Sequence, residues 1–115
     1  MHELSIAMSM VDMAAEEAAR RGEVKVIAIH LRLGPLSGVV KDALLFSYEV
    51  ACQGTGLEGS QLLIEEIPIR GNCSVCAEET PVVSPQQMCC AVCQAPMLEV
   101  VSGRELEVSA LEIEA

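Results

Sequence analysis

The chain has 115 residues and a formal net charge of −10, with seven basic against 17 acidic side chains. Every contact to a nucleic-acid phosphate needs a basic side chain, so this balance argues strongly against a nucleic-acid partner. The length indicates one small domain, or one domain with a small appendage. Apolar residues make up 51 % of the chain but aromatic residues only 2 %, so the core must be aliphatic. A small aliphatic core would benefit from additional stabilisation, which the six cysteines could provide.

The compartment is predicted from two features of the sequence. No apolar run approaches the length that a bilayer span needs, and the first residues lack the basic segment and apolar segment of a signal peptide. We therefore expect a cytoplasmic protein. In that compartment, paired cysteines are metal ligands more often than they are disulfides.

The first predicted element is an amphipathic helix over residues 4–21, ended by Gly22. Its expected apolar stripe consists of Leu4, Met8, Val11, Ala15 and Ala18. A strand follows over residues 23–33, where the sequence alternates. Its strongly apolar face is expected to consist of Ile27, Ile29, Leu31 and Leu33.

The other face of this strand carries His30 beside Arg32, so we interpret His30 as a surface or packing histidine and not as a metal ligand. After a turn over residues 34–38, a second helix is predicted over about residues 40–53. Its expected buried side chains are Leu44, Leu45, Tyr48 and Cys52.

Two further strands are predicted, over residues 60–70 and over residues 103–114, the latter with an acidic solvent face. The stretch between them differs in character, since it contains five of the six cysteines and three of the five prolines. The fold class is therefore α+β: a small three-stranded sheet with two helices, plus an inserted zinc-ribbon-like module. Residues 1–69 and 102–115 are expected to form one domain and residues 70–101 the other.

The inserted module contains two Cys-x-x-Cys units, Cys73 with Cys76 and Cys90 with Cys93, separated by thirteen residues. Each short loop lets both thiolates turn toward one point, and two such units make a tetrahedral S4 site that suits zinc in a structural role. Iron is possible on the ligands alone, whereas a redox pair would normally lie in a thioredoxin-like pattern, which is absent. Cys89 could replace Cys90 as a ligand, but the spacing favours Cys90.

The amino terminus offers a second kind of metal site. The amine of Met1, the deprotonated amide nitrogen of His2 and the His2 imidazole Nδ1 can close fused chelate rings around one ion. A fourth nitrogen or oxygen, such as the amide of Glu3 or a neighbouring side chain, would complete the square plane that Ni(II) and Cu(II) prefer. The alternative interpretation is a disordered terminus with an incidental histidine.

Taken in order, several short motifs resemble the HypA/HybF family of hydrogenase maturation proteins, and the resemblance covers essentially the whole chain. The motifs are Met1-His2-Glu3 before a helix, Leu31-Arg32-Leu33-Gly34, Leu36-Ser37-Gly38-Val39, Ser47-Tyr48-Glu49 and the paired Cys-x-x-Cys units.

This resemblance implies a nickel metallochaperone, not an enzyme, that serves the maturation of [NiFe] hydrogenase. It implies nickel at Met1 (through its amine), His2 and Glu3. It implies zinc at the four cysteines of the two Cys-x-x-Cys units, which are Cys73, Cys76, Cys90 and Cys93. The implied partners are the GTPase HypB and the hydrogenase large subunit, and some relatives also serve urease.

The chain departs from the family pattern in two places. No histidine follows either Cys-x-x-Cys unit, so the resemblance supplies no histidine-based acid switch at the zinc site. Where some relatives place an acidic residue just after the Ser-Gly loop, this chain has Val39 and Val40, with Asp42 slightly later.

One other functional class is compatible with parts of the sequence, and a further class is disfavoured by it. A zinc-ribbon adaptor that acts only through protein–protein contacts would keep the four cysteines and need no free amino terminus. A hydrolytic metalloenzyme would need an open metal site with a base nearby, and no HExxH motif is present. A monomer and a dimer, including one that exchanges a terminal element, are both compatible with the sequence.

Overall fold

A computed structural model of the chain describes residues 2–97 and 99–114. The elements over these residues are α1 (Glu3–Arg20), β1 (Lys25–Leu33), a 3-10 turn (Pro35–Ser37), α2 (Lys41–Cys52), β2 (Gln61–Glu66), β3 (Arg70–Cys73), β4 (Glu78–Ser84), β5 (Gln87–Cys90), β6 (Glu99–Ser102) and β7 (Leu106–Glu114). Neither α-helix in this part of the chain combines the length and apolar character that crossing a membrane requires.

The chain divides into two compact units. The first, called the helix unit here, comprises Met1–Arg32, Val39–Glu65 and Glu107–Ala115, and contains both α-helices. The second, called the cysteine unit, comprises Leu33–Gly38 and Glu66–Leu106. A three-stranded sheet has the order β2-β1-β7, and a four-stranded sheet has the order β5-β4-β3-β6. The predicted α+β class, with two helices, a three-stranded sheet and an inserted cysteine-rich module, is confirmed.

The buried stripe of α1 differs from the predicted one. Its buried residues are Ala7, Met10, Val11, Ala14 and Ala18. Leu4, Met8 and Ala15, which the sequence analysis placed in the stripe, are exposed. The reason is size: α1 packs against α2, and small side chains such as Ala7 and Ala14, both fully buried, let two helices approach closely. The most hydrophobic stripe is therefore not the packed one.

Strand β1 is covered on both faces, contrary to the prediction of a single apolar face. Val26 and Ala28 are buried on the face that was predicted to be mixed, while Ile27 is 42 % exposed on the face that was predicted to be apolar. Ile29, Leu31 and Leu33 are buried as predicted. Alternation alone did not locate the exposed side chains of β1, because burial on its two faces is set by packing above and below the sheet, which the pattern of one strand does not show.

The exposed end of the mixed face of β1 is charged. His30 Nε2 lies 2.6 Å from a carboxylate oxygen of Glu112 on β7, which agrees with its interpretation as a surface histidine. Arg32 contacts Glu107 on β7 and Glu65 on β2. These exposed pairs contribute little individually, about 0–1 kcal/mol each, but they join β1 to both neighbouring strands.

The strand predicted over residues 60–70 is interrupted. Strand β2 ends at Glu66, and the chain re-enters a strand only at Arg70, as β3 of the other sheet. Pro68 lies in the interruption and has no N–H for a ladder hydrogen bond, so the strand cannot continue through it. The strand predicted over residues 103–114 is present as β7, beginning at Leu106.

The packing of α1 generates a stability prediction. Ala14→Leu inserts extra carbon atoms into a fully buried position and should lower the free energy of unfolding by about 1–3 kcal/mol. Ala15→Leu, at the adjacent exposed position, is the matched control and should change it by less than about 0.5 kcal/mol. Urea unfolding followed by circular dichroism measures both, and equal losses would show that the stripe is wrongly placed.

Candidate metal centres

The cysteine unit brings the thiols of both Cys-x-x-Cys units to one point. The Sγ atoms of Cys73, Cys76, Cys90 and Cys93 all lie within 4.8 Å of one another. The Cys73–Cys93 pair is separated by 3.5 Å and the Cys76–Cys90 pair by 3.9 Å. Four sulfurs at about 2.3 Å from a tetrahedral zinc ion lie about 3.8 Å apart, which is close to the two measured separations, so this donor set fits zinc.

Each Cys-x-x-Cys unit folds into the same local turn. The Ala77 N–H donates to the Cys73 carbonyl at 2.8 Å, and the Gln94 N–H donates to the Cys90 carbonyl at 2.9 Å. Both donor residues adopt left-handed backbone conformations, with φ of +59° for Ala77 and +66° for Gln94. The repeated turn explains how each loop directs its two thiols to the same side.

The strands of the cysteine unit fix one thiol of each pair. Cys73 ends β3 and Cys90 ends β5, and both residues are buried. Their neighbours in the core of this unit include Ile69, Val82 and Met97. Cys76 and Cys93 lie in the turns and are half-buried. The sheet therefore holds two sulfurs rigidly, and the turns bring up the other two.

Thr80 on β4 is a contributor to this site that the sequence analysis missed. Its Oγ1 lies 3.1 Å from the Cys90 Sγ, and the residue is only 2 % exposed. This hydrogen bond, followed by backbone N–H groups in the Cys93 turn, lowers the pKa of the Cys90 thiol to about 6. The sequence feature that could have identified Thr80 is the alternation of β4, in which Thr80 and Val82 lie on the same buried face.

The surroundings of Cys76 and Cys90 shift the pKa values of these two thiols in opposite directions. Hydrogen bonding to Cys93, together with burial and the other thiols, raises the pKa of Cys76 to about 12. Ionisation of more than one thiol places like charges side by side. A divalent cation removes this penalty, because it compensates the thiolates directly.

Cys89 lies outside the thiol cluster. It is half-buried and pairs through its backbone with Pro96 in an isolated β-bridge. Cys90 and not Cys89 belongs to the group of four sulfurs, in agreement with the Cys-x-x-Cys spacing. Among the described residues, this group is the only one that gathers three or more histidine, cysteine or carboxylate ligands closely enough for a metal.

The predicted amino-terminal site lies partly outside the described residues, because Met1 is not among them. His2 is exposed and immediately precedes α1, and its carbonyl accepts the Ile6 N–H at 3.2 Å. Glu3 is the first residue of α1, and its Oε2 accepts the Val40 N–H at 3.2 Å. That hydrogen bond, followed by one from the Glu3 amide itself, lowers the pKa of the Glu3 carboxyl.

Together these features define a small two-unit α+β protein with four clustered cysteines suited to binding a metal and an exposed histidine before its first helix. Over residues 1–113 the chain matches the family model described as "Hydrogenase/urease nickel incorporation, metallochaperone, hypA". It is 48 % identical to "Hydrogenase maturation factor HypA" of Roseiflexus sp. (strain RS-1), covering 99 % of this chain and 93 % of the relative. It is 45 % identical to the protein of the same name from Geobacter metallireducens, covering 99 % and 100 %. The chain belongs to the HypA family.

Two solved structures share the fold. The solution structure of the Ni metallochaperone HypA from Helicobacter pylori superimposes with a TM-score of 0.65 at 20 % identity, covering 100 % of this chain and 99 % of that one. A second solution structure of a HypA protein gives a TM-score of 0.70 at 19 % identity, covering 99 % and 97 %. The fold is therefore retained at low sequence identity.

The Thr80–Cys90 contact generates a prediction about metal affinity. Thr80→Val removes the hydroxyl beside the Cys90 sulfur with little change in volume and should weaken zinc binding about 10- to 100-fold. Thr80→Ser keeps the hydroxyl and should stay near the parent. Competition with a chromophoric chelator measures both affinities. Equal losses in the two variants would assign the effect to packing and contradict the role of the hydrogen bond.

The left-handed turns generate a prediction about stability. Glycine adopts positive φ without a steric penalty, so Ala77→Gly and Gln94→Gly should each raise the free energy of unfolding by about 0.5–1 kcal/mol. The control is Ala91→Gly in the second turn, which is outside the left-handed region and should lose stability. Denaturant unfolding of the zinc-loaded protein gives the signs, and losses in all three variants would contradict the assigned strain.

Proposed function

We propose that this chain is a nickel metallochaperone that binds Ni(II) at its amino terminus and delivers it for the maturation of [NiFe] hydrogenase. The proposed ligands come from Met1 (through its amine), His2 and Glu3. The observation that carries the proposal is the exposed His2 directly before α1, in a chain of the nickel-incorporation family. Nickel is cargo here and not a resident cofactor.

The surroundings of His2 suit transient binding. Its side chain is exposed, so water and a receiving protein have access to the imidazole. Binding through an amine, an amide and an imidazole releases protons, so the affinity for nickel should fall as the pH falls. A site of this kind holds the ion without enclosing it, which favours transfer.

The four cysteines are proposed to hold zinc as a structural ion, which supplies folding energy to the cysteine unit. All four coordination positions are then filled by sulfur, which leaves no open position for a substrate. This agrees with the family description, which names incorporation of nickel and not catalysis. We propose residues 70–101 as the zinc-binding domain, with residues 1–69 and 102–115 as the nickel-binding domain.

The proposed partners are a HypB-type GTPase and the hydrogenase large subunit, in the cytoplasm. The names of the relatives support the partners, and the thiol ligands of the chain support the compartment. The relatives are named hydrogenase maturation factors, which places them in that pathway. A reducing compartment also keeps thiol ligands available for metal.

Reciprocal variants test the two metal assignments. His2→Ala, and a version extended by three residues before Met1, should each lose Ni(II) binding by at least about tenfold, because the first removes the imidazole and the second moves the free amine out of chelating range of it. Both should retain one equivalent of zinc. Cys73→Ser should release zinc and lower the melting temperature, because it breaks the S4 set, while the amino-terminal site keeps nickel. Calorimetry, d–d absorption and metal analysis give the readouts.

Intact mass of each preparation confirms that Met1 is retained and unmodified. Nickel binding that is unchanged in both amino-terminal variants would contradict the chaperone assignment and favour the zinc-ribbon adaptor. Stoichiometric zinc and an unaltered melting profile in Cys73→Ser would contradict the zinc assignment.

A further inference from the structure

The two Cys-x-x-Cys turns expose a matched pair of valines. Val75 precedes Cys76 and Val92 precedes Cys93, so the two valines hold the same position in the two units. Their side chains are 69 % and 68 % exposed, although valine is among the residues most often buried. Because the four sulfurs lie within 4.8 Å of one another, both valines lie beside the same thiol cluster.

The sequence around these valines carries almost no charge. Charged residues make up 21 % of the chain, yet residues 80–98 contain none, and residues 71–79 contain only Glu78 and Glu79. Glu79 is compensated, because Arg70 Nε donates to its carboxylate at 2.8 Å. The centres of protein interfaces are depleted of charge in the same way, because a charge that is buried without a partner is costly. The turns of the cysteine unit therefore have the chemistry of an interface centre.

A cavity of about 390 Å³ opens next to Val75. The residues that line it include Asn72, Ser74, Ala77, Glu78, Pro96 and Glu99. Asn72 Nδ2 donates a hydrogen bond to the Glu99 carboxylate, which holds that side chain at the cavity. Among the described residues, neither Glu78 nor Glu99 forms an ion pair, so both negative charges are uncompensated. The cavity therefore favours a positively charged side chain.

Val75, Val92 and this cavity, together called the knuckle surface, combine an apolar centre with an acidic edge. We propose that the knuckle surface docks a protein partner whose contacting face is apolar and carries an arginine or lysine side chain that enters the cavity. A second copy of this chain fits the surface poorly, because a twofold contact would bring Glu78 and Glu99 of both copies together. The docking needs no nickel, so it goes beyond the proposed function.

Selection of random linear peptides, displayed on phage, against the zinc-loaded full chain tests the proposal. The selected peptides should be apolar, contain arginine or lysine and lack acidic residues. Their affinity, measured by fluorescence anisotropy, should fall about tenfold in the double variant Val75→Thr/Val92→Thr, because each new hydroxyl loses its water when the complex forms. Val83→Thr makes the same change at an exposed valine of β4, and this control should leave the affinity unchanged. Glu78→Gln with Glu99→Gln should weaken binding about threefold at low salt and flatten its salt dependence.

Metal analysis checks that each variant keeps its zinc. Val75→Ala with Val92→Ala adds no polar atom and should weaken binding to a similar extent, so it replaces the threonine pair if that pair loses zinc. Selection that enriches no peptide, or peptides that bind the valine variants as tightly as the parent, would overturn the proposal. Selected peptides without a basic residue would overturn the role of the cavity. Sedimentation that shows a dimer of the parent, lost in the valine variants, would identify a second copy as the occupant and contradict the proposed partner.

Discussion

The convergence of four sulfurs within 4.8 Å is the constraint on which the cysteine unit depends. Thiolates at such separations repel one another, so the arrangement requires either protons or a cation. The surrounding core is small, consisting of side chains such as Ile69, Val82 and Met97 around short strands. A core of this size supplies little stability, so the proposed zinc ion would contribute to the folding energy.

The two proposed metal sites use opposite physical strategies. In the cysteine unit, buried strand residues, backbone hydrogen bonds and the Thr80 hydroxyl surround the sulfurs, which suits an ion that stays. In the helix unit, an exposed His2 precedes the first helical turn, which suits an ion that leaves.

The fold class and the thiol cluster could be predicted because their signals are local. Two Cys-x-x-Cys units specify their own turns, and helix periodicity located α1 and α2 to within one residue at each end. The packed stripe of α1 could not be predicted, because the partner helix selects small side chains and leaves Leu4 and Met8 outside. The contacts of Thr80 with Cys90 and of Glu3 with Val40 join residues far apart in sequence, and neither carries a local pattern.

X-ray absorption of the protein loaded with one equivalent of each metal tests the central claim most directly, because it measures the donor atoms at nickel and zinc separately. The account predicts nitrogen and oxygen donors only around nickel, and four sulfurs at about 2.3 Å around zinc. A sulfur shell around nickel would place the cargo at the cysteines and contradict the proposed division of roles.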